Sequence, residues 1–263
     1  LRGAGTAPVE GGEVTAASPG PADQPDGPTT AVLAVPAPAT YSAVRAITDP
    51  EIPPNHGCYR PIDIVAPEGT IVNPTLPAAA VGGNLETSPR VTDTVLGALA
   101  QAAPEAVAAA GQGTMNNVTL GGMDPRGGDP TPYAFYETQG GGGGGRAGGD
   151  GIDGVHVHMS NTLNTPAEAL ETAYPLRIER YELRPDSGGA GEHRGGLGLR
   201  RDIRVRDHTA RFSLLAERHE SHPYGLAGGE EGATGAAYLG DDAGDEIARQ
   251  PAAPSRRLPS WPV

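Results

Sequence analysis

The densest set of residues able to bind or transform a ligand lies between Glu137 and Glu168. Glu137-Thr-Gln139 enters a glycine run, Gly140–Gly145, and Asp150-Gly151 follows it; then come Gly154-Val-His-Val-His158 and Asn161-Thr-Leu-Asn164. Glycine frees the backbone for positive φ and for close approach to a ligand, and the polar row supplies donors and acceptors. His156 and His158 alternate as on a strand, which would place both imidazoles on one face. They are the candidates for a metal within this chain, although a structural site needs further ligands. The competing reading has His158 donating a hydrogen bond to substrate or to a loop carbonyl. Asn161 and Asn164 serve either a site or a turn, because such side chains mimic backbone in loops. The glycine run reads either as a nest of N–H groups for an anion or as a flexible linker. Glu137, Gly141 and Asp150 are the substrate-binding candidates around it.

Two other loops carry similar groups. Gly111-Gln-Gly-Thr-Met-Asn-Asn117 offers the amides of Gln112, Asn116 and Asn117, which donate and accept and so suit a planar cyclic amide; they serve equally well to close turns. Asn55-His-Gly-Cys-Tyr-Arg60 sets Cys58 near His56, but a nucleophilic thiol needs a base and a raised thiolate fraction, and a buried structural cysteine is the simpler reading. Glu86-Thr-Ser-Pro-Arg90 reads as a helix entry, with Glu86 and Arg90 as secondary candidates.

The elements that must position these loops are legible in part. Val91, Val95, Ala98, Leu99 and Ala102 recur at helical spacing, with Ser88 as N-cap, Pro89 at the first helical position and Pro104 beyond the end. Thr165-Pro-Ala-Glu168 has the form of a capping box, which accounts for Thr165 and Glu168 by structure and starts a short helix. That helix ends near Ala173, because Pro175 disfavours α geometry at Tyr174. Pro61–Val65 and Ile71-Val72 read as strand, turn, strand. After Pro175 the period becomes two: Leu176 and Ile178 share one face and Tyr181 and Leu183 the other, so a bulge falls near Glu179–Arg180. Leu197, Leu199, Ile203 and Val205 mark a further strand, and Phe212, Leu214 and Ala216 another. The expected class is α+β: β-rich, with glycine-rich loops, a few helices and a C-terminal antiparallel strand module. Residues 1–40 and 241–263 lack periodicity and are expected to be disordered, leaving 41–240 as the folded unit.

Composition excludes several functions. The net charge of −13 argues against a nucleic-acid partner. All 19 basic residues are Arg, so neither a Schiff-base lysine nor a P-loop lysine can exist here. Cys58 stands alone, which rules out an internal disulfide and fits a reducing compartment. No apolar run approaches a membrane span and no signal segment opens the chain; the expected location is the cytoplasm, with no membrane partner.

Seven motifs recur here in an order that resembles the hydantoinase B family. They are Asn55-His-Gly-Cys-Tyr-Arg-Pro-Ile, Gly83-Asn-Leu-Glu-Thr-Ser-Pro-Arg-Val, Gly111-Gln-Gly-Thr-Met-Asn-Asn, Tyr136-Glu-Thr-Gln-Gly-Gly-Gly, His158-Met-Ser-Asn-Thr-Leu-Asn-Thr-Pro-Ala-Glu, Tyr174-Pro-Leu-Arg-Ile-Glu-Arg-Tyr and Gly188-Gly-Ala-Gly-Glu-His-Arg-Gly-Gly. The family includes N-methylhydantoinase B, the C-terminal part of 5-oxoprolinase and the acetone carboxylase α subunit. The resemblance implies an ATP-dependent ring-opening hydrolase of cyclic amides, 5-oxoproline or hydantoins, in which ATP is held by a separate hydantoinase A-type partner. It implies phosphorylation of the lactam oxygen and attack of water on the ring carbonyl, with polar loops holding the ring. His158, Asn161 and Asn164 are then the catalytic candidates. Family members are longer, and their His- and Asp-rich front segment has no counterpart before residue 41; a divalent metal would find most of its ligands outside this chain. The glycine-rich tail of the family is missing as well. Read this way the chain is a C-terminal portion, expected to be incomplete alone. A carboxylase α-type subunit and a non-catalytic assembly module are the alternatives.

Overall fold

Residues at helical spacing gather one apolar core and residues at strand spacing a second. The computed structural model describes residues 6–10, 12–17, 22–49, 51–240 and 246–250. In the first half, β1 (Val9–Glu10) and β2 (Glu13–Ala17) form a hairpin, and β2 runs parallel to β3 (Ile62–Val65) with Val14 opposite Ile62. Between them lie α1 (Pro36–Ile47) and a single turn, α2 (His56–Tyr59), capped by Asn55 Oδ1, which accepts from Gly57 N at 2.8 Å. Ala43 and Val44 of α1 pack with Ile62 against Val95, Leu96 and Leu99 of α3 (Ser88–Leu99).

The start of α3 differs from the N-cap expected at Ser88. A π-helical turn, Gly83–Thr87, runs into the helix without a break, so the helix has no free N-terminus at Ser88. Ser88 Oγ instead donates to the Asn84 carbonyl at 2.8 Å. Gly83 is required because a Cβ there would lie 2.2 Å from the Thr30 carbonyl oxygen.

The second half is built on strands. β4 (Asn117–Asp124) pairs antiparallel with β5 (Thr131–Thr138) on one side and β8 (Ala210–Leu215) on the other. α4 (Ala167–Ala173) precedes β6 (Leu176–Leu183), which pairs with β7 (Leu199–Val205). The register of that pair shifts between Ile178 and Arg180, where the change of face in the sequence places a bulge. Val118, Leu120, Phe135, Leu170 and Leu176 form the core, with Ile178, Ile203, Phe212 and Leu214 packed on it. β9 (Ala237–Gly240) and β10 (Glu246–Gln250) make a further antiparallel pair.

The α+β class holds, with four corrections. β1, β2 and the start of α1 lie within residues 1–40, the segment expected to be disordered; β2 is too short to show a period and gains its order from pairing with β3. In the expected tail, 246–250 form β10, and residues 241–245 and 251–263 lie outside the described residues. Ile71-Val72 does not pair as a strand with β3, whose partner is β2. The C-terminal strands also do not make one module: β6 and β7 form their own sheet, while β8 crosses to β4.

Candidate functional site

The 112–117 loop runs beside the π turn and α3, and two buried carboxylates meet it. Asp93 is 2% exposed. Its Oδ1 is 2.7 Å from His158 Nε2, its Oδ2 takes the Arg218 guanidinium, and its backbone carbonyl accepts from Tyr224 Oη at 2.6 Å. Burial works to raise the Asp93 carboxyl, but hydrogen bonding and charge from His158, then from Arg218, outweigh it and hold it below the usual range. Gly113 lies against this group: a Cβ there would sit 2.6 Å from Asp93 Oδ2 and 2.8 Å from Arg218 Nε.

Glu86, fully buried, sits in the π turn seven positions earlier. It accepts from Thr114 Oγ1 at 2.6 Å, Asn117 Nδ2 at 2.6 Å and Met115 N at 3.2 Å. Burial pushes its carboxyl up to about 8, against the downward pull of the hydrogen bonds from Thr114 and Met115. Asn117 Oδ1 in turn accepts from Tyr136 Oη at 2.6 Å, at the edge of a cavity of about 190 Å³ lined also by Leu85, Thr119 and Ser213.

A third buried group fixes the end of the 156–165 loop. Arg201 and Glu137, with side chains 1% and 3% exposed, pair at 2.5 Å. Together they clamp Thr165: its N–H donates to Glu137 Oε1 at 2.8 Å and its carbonyl accepts from Arg201 Nη2 at 2.9 Å. Arg201 also stacks over the Tyr181 ring. The expected capping box is therefore absent. Pro166 is the residue before α4, no side chain caps the helix, and Glu168 is exposed, because Thr165 is already held through its backbone by the ion pair.

The histidines do not share a strand face. His158 has φ +57°, in the left-handed region, and its neighbours form a turn. His156 Nδ1 is 2.9 Å from Ser160 Oγ, and burial lowers its pKa. Among the described residues no three His, Cys, Asp or Glu side chains come together to hold a metal.

The glycine run is neither a linker nor an open nest. Gly141 and Gly143 donate to the Val155 and Ile152 carbonyls at 2.9 Å, and Gly140 N donates to Asn164 Oδ1 at 2.9 Å. Neighbouring chain approaches so closely that a Cβ at Gly142 would lie 2.0 Å from the Gly196 carbonyl oxygen and one at Gly144 1.7 Å from that of Ala109. The run is packed backbone on backbone.

The remaining candidates fall into three places. Gln112 is buried, donating to the Thr114 carbonyl at 2.7 Å, with its Oε1 unpartnered and close to Gly141. Asn116 is half-buried with φ +47°. Asn164 is bound through both ends of its amide, to Gly140 N and to the Gly154 carbonyl, and Asn161 stands exposed on the loop between. Asp150 lies apart, accepting from Arg194 N at 3.0 Å. Asp93, Arg201 and Arg218 belong to this site although no sequence motif singles them out. Asp93 is a charged residue buried among apolar residues of α3, a placement that demands a partner, but the apolar period of the helix does not mark it. The two arginines carried no signal, since their partners lie 64 and 125 positions away.

A loop presenting an imidazole held by a buried carboxylate, flanked by amide groups on a packed glycine frame, has groups able to exchange a proton and to hydrogen-bond a ligand. Residues 5–258 match the Hydantoinase B/oxoprolinase family, and the chain belongs to it. It is 42% identical over 206 residues to 5-oxoprolinase 1 of Arabidopsis thaliana, covering 78% of this chain and 15% of that protein. Its identity to the B-type subunit of a putative D-/L-hydantoinase of Pseudomonas sp. is 35% over 199 residues, 76% of this chain and 32% of that one. In structure it resembles acetone carboxylase (TM-score 0.75, 19% identity, 88% of this chain and 31% of that chain). It also resembles the ATP-dependent caprolactamase of Pseudomonas jessenii (TM-score 0.69, 25% identity, 95% and 46%). The chain thus spans less than half the length of each of these relatives. No described helix is long and apolar enough to cross a membrane.

Proposed function

We propose that this chain is part of a B-type subunit of an ATP-dependent ring-opening hydrolase of cyclic amides. The substrate is 5-oxoproline or a hydantoin, the partner an ATP-binding A-type subunit, and the setting the cytoplasm. The observation that carries this reading is His158, an imidazole presented on a polar loop and held through one nitrogen by a buried carboxylate. Family membership supports the substrate class, as does the caprolactamase, whose name describes ATP-dependent action on a lactam. A relative named as one subunit of a hydantoinase supports a second subunit. Because the chain has no lysine, the phosphates of ATP are held elsewhere. ATP on the partner supplies the phosphoryl group that activates the ring oxygen. In this chain His158 takes the proton of the attacking water. Asn161 hydrogen-bonds the ring, Asn164 holds the loop against the glycine layer, and Gln112 and Asn116 offer further amide contacts. Any divalent metal in the complex takes most of its ligands from outside this chain.

The test is to copurify the chain with its A-type subunit and measure ATP hydrolysis with and without 5-oxoproline or a hydantoin. Hydrolysis coupled to the cyclic amide is expected. Turnover indifferent to both substrates overturns the reading, and bicarbonate-dependent consumption of a ketone replaces it with a carboxylase.

A further inference from the structure

The left-handed backbone region is strained for residues other than glycine. Three residues in that region surround one carboxylate: Gly113 at φ +58°, His158 at +57° and Arg218 at +63°. His158 and Arg218 hydrogen-bond the side chain of Asp93, and a Cβ at Gly113 would lie 2.6 Å from its Oδ2. Such strain persists only where surrounding structure over-determines it, and it concentrates at functional sites. Arg218 is fixed in turn, its Nη1 donating to the His222 carbonyl at 2.7 Å. With Oδ2 taken by Arg218, Oδ1 is the oxygen that meets the imidazole.

Proton accounting then decides the tautomer. An ionised carboxylate only accepts, so Nε2 of His158 carries the hydrogen, and in the neutral ring Nδ1 keeps its lone pair. Nδ1 has no hydrogen-bond partner among the described residues, and the side chain is 15% exposed. We propose that Asp93, held by Arg218, is the positioning residue of the site: it locks His158 in the Nε2–H tautomer and leaves Nδ1 as the base. This deepens the hydrolase reading and rests on it for its chemistry. The O–H bond of the attacking water breaks, its proton goes to Nδ1, and its oxygen bonds to the ring carbonyl carbon. The same proton passes from Nδ1 to the ring nitrogen as the C–N bond breaks, while the added hydroxyl gives up its own proton to become the acyl C=O. A second water then displaces inorganic phosphate from the acyl phosphate and leaves the carboxylate. The other titratable groups around Asp93 are Arg90 on its own helix and Tyr224, with Glu217 beside Arg90.

The test combines a spectroscopic and a kinetic measurement. In the full chain labelled with ¹⁵N-histidine, His158 is assigned by His158→Gln and its ring nitrogens are read above about pH 8, where an ordinary imidazole is neutral. A protonated Nε2 and a bare Nδ1 are expected in the wild-type chain; the opposite tautomer overturns the proposal whether or not an Asp93 variant folds. In Asp93→Asn the amide oxygen must face Arg218, so its NH₂ faces Nε2 and the ring should switch to the Nδ1–H tautomer. In the assembled complex the variant should lower kcat by about 10³- to 10⁴-fold, with KM within about threefold. An Asp93→Asn complex with wild-type kcat overturns the positioning role. If even the wild-type complex opens no cyclic amide, the hydrolase reading fails, while the tautomer measurement still decides the geometry.

Discussion

Replacing Glu86 by glutamine separates two forces that act on one buried group. Burial favours the neutral acid, whereas donors on Thr114, Met115 and Asn117 favour the carboxylate; the balance puts the folded value at about 8, against 4.5 for the free side chain. The folded value is the higher one, so the native state holds a proton that the unfolded chain releases. Its stabilisation is therefore present at low pH and is lost as pH rises from about 4.5 through about 8. At about 1.4 kcal/mol per pH unit the full span is about 5 kcal/mol, and the loss between about pH 6 and pH 8 is about 2 kcal/mol. Glutamine cannot titrate, so it removes this slope. It adds a cost that does not depend on pH: Thr114 Oγ1 already accepts from Asn116 N and Glu217 N, so its own proton is committed to Glu86. A glutamine NH₂ must then face a donor on one side or the other, at about 1–3 kcal/mol. Urea unfolding of both proteins across this range measures the difference directly. Converging curves, with the wild type losing its advantage as pH rises, are expected. Parallel curves would mean that the donors outweigh burial, and the reasoning fails.

Three further outcomes follow from the geometry. Arg201→Met should destabilise by about 3–5 kcal/mol in denaturant unfolding, because Glu137 is left charged and buried, while Glu137→Leu combined with Arg201→Met should recover part of that loss. Gly142→Ala drives a Cβ onto the Gly196 carbonyl and should abolish soluble folded protein on expression, whereas Gly148→Ala, with open space around it and only its positive φ to resist, should cost about 1–2 kcal/mol. Asn161→Ala removes an exposed side chain, so its unfolding free energy should stay within about 0.5 kcal/mol of wild type while turnover of the assembled complex falls.

What the sequence revealed tracks how local each signal is. The span of α4 ends where Pro175 requires, and the bulge at Glu179 shows in the switch of face between Ile178 and Tyr181. Hairpin β4–β5 was hidden, since Gly121-Gly122 interrupts the alternation of β4 and its order comes from two flanking strands. Thr165 and Glu168 show the opposite failure. Their spacing satisfied a local rule that lost to a buried ion pair formed by Arg201, 64 positions from its partner. His158 was legible as a residue type on a polar loop. Its carboxylate was not, because Asp93 sits on a helix whose period marks only its apolar neighbours.

The most direct measurement of the central claim is the formation of ring-opened product by the complex carrying His158→Gln, compared with wild type at saturating ATP and cyclic amide. Loss of at least about 10²-fold in kcat, with assembly and ATP binding intact, is expected for a general base. Wild-type turnover in that variant would contradict the account.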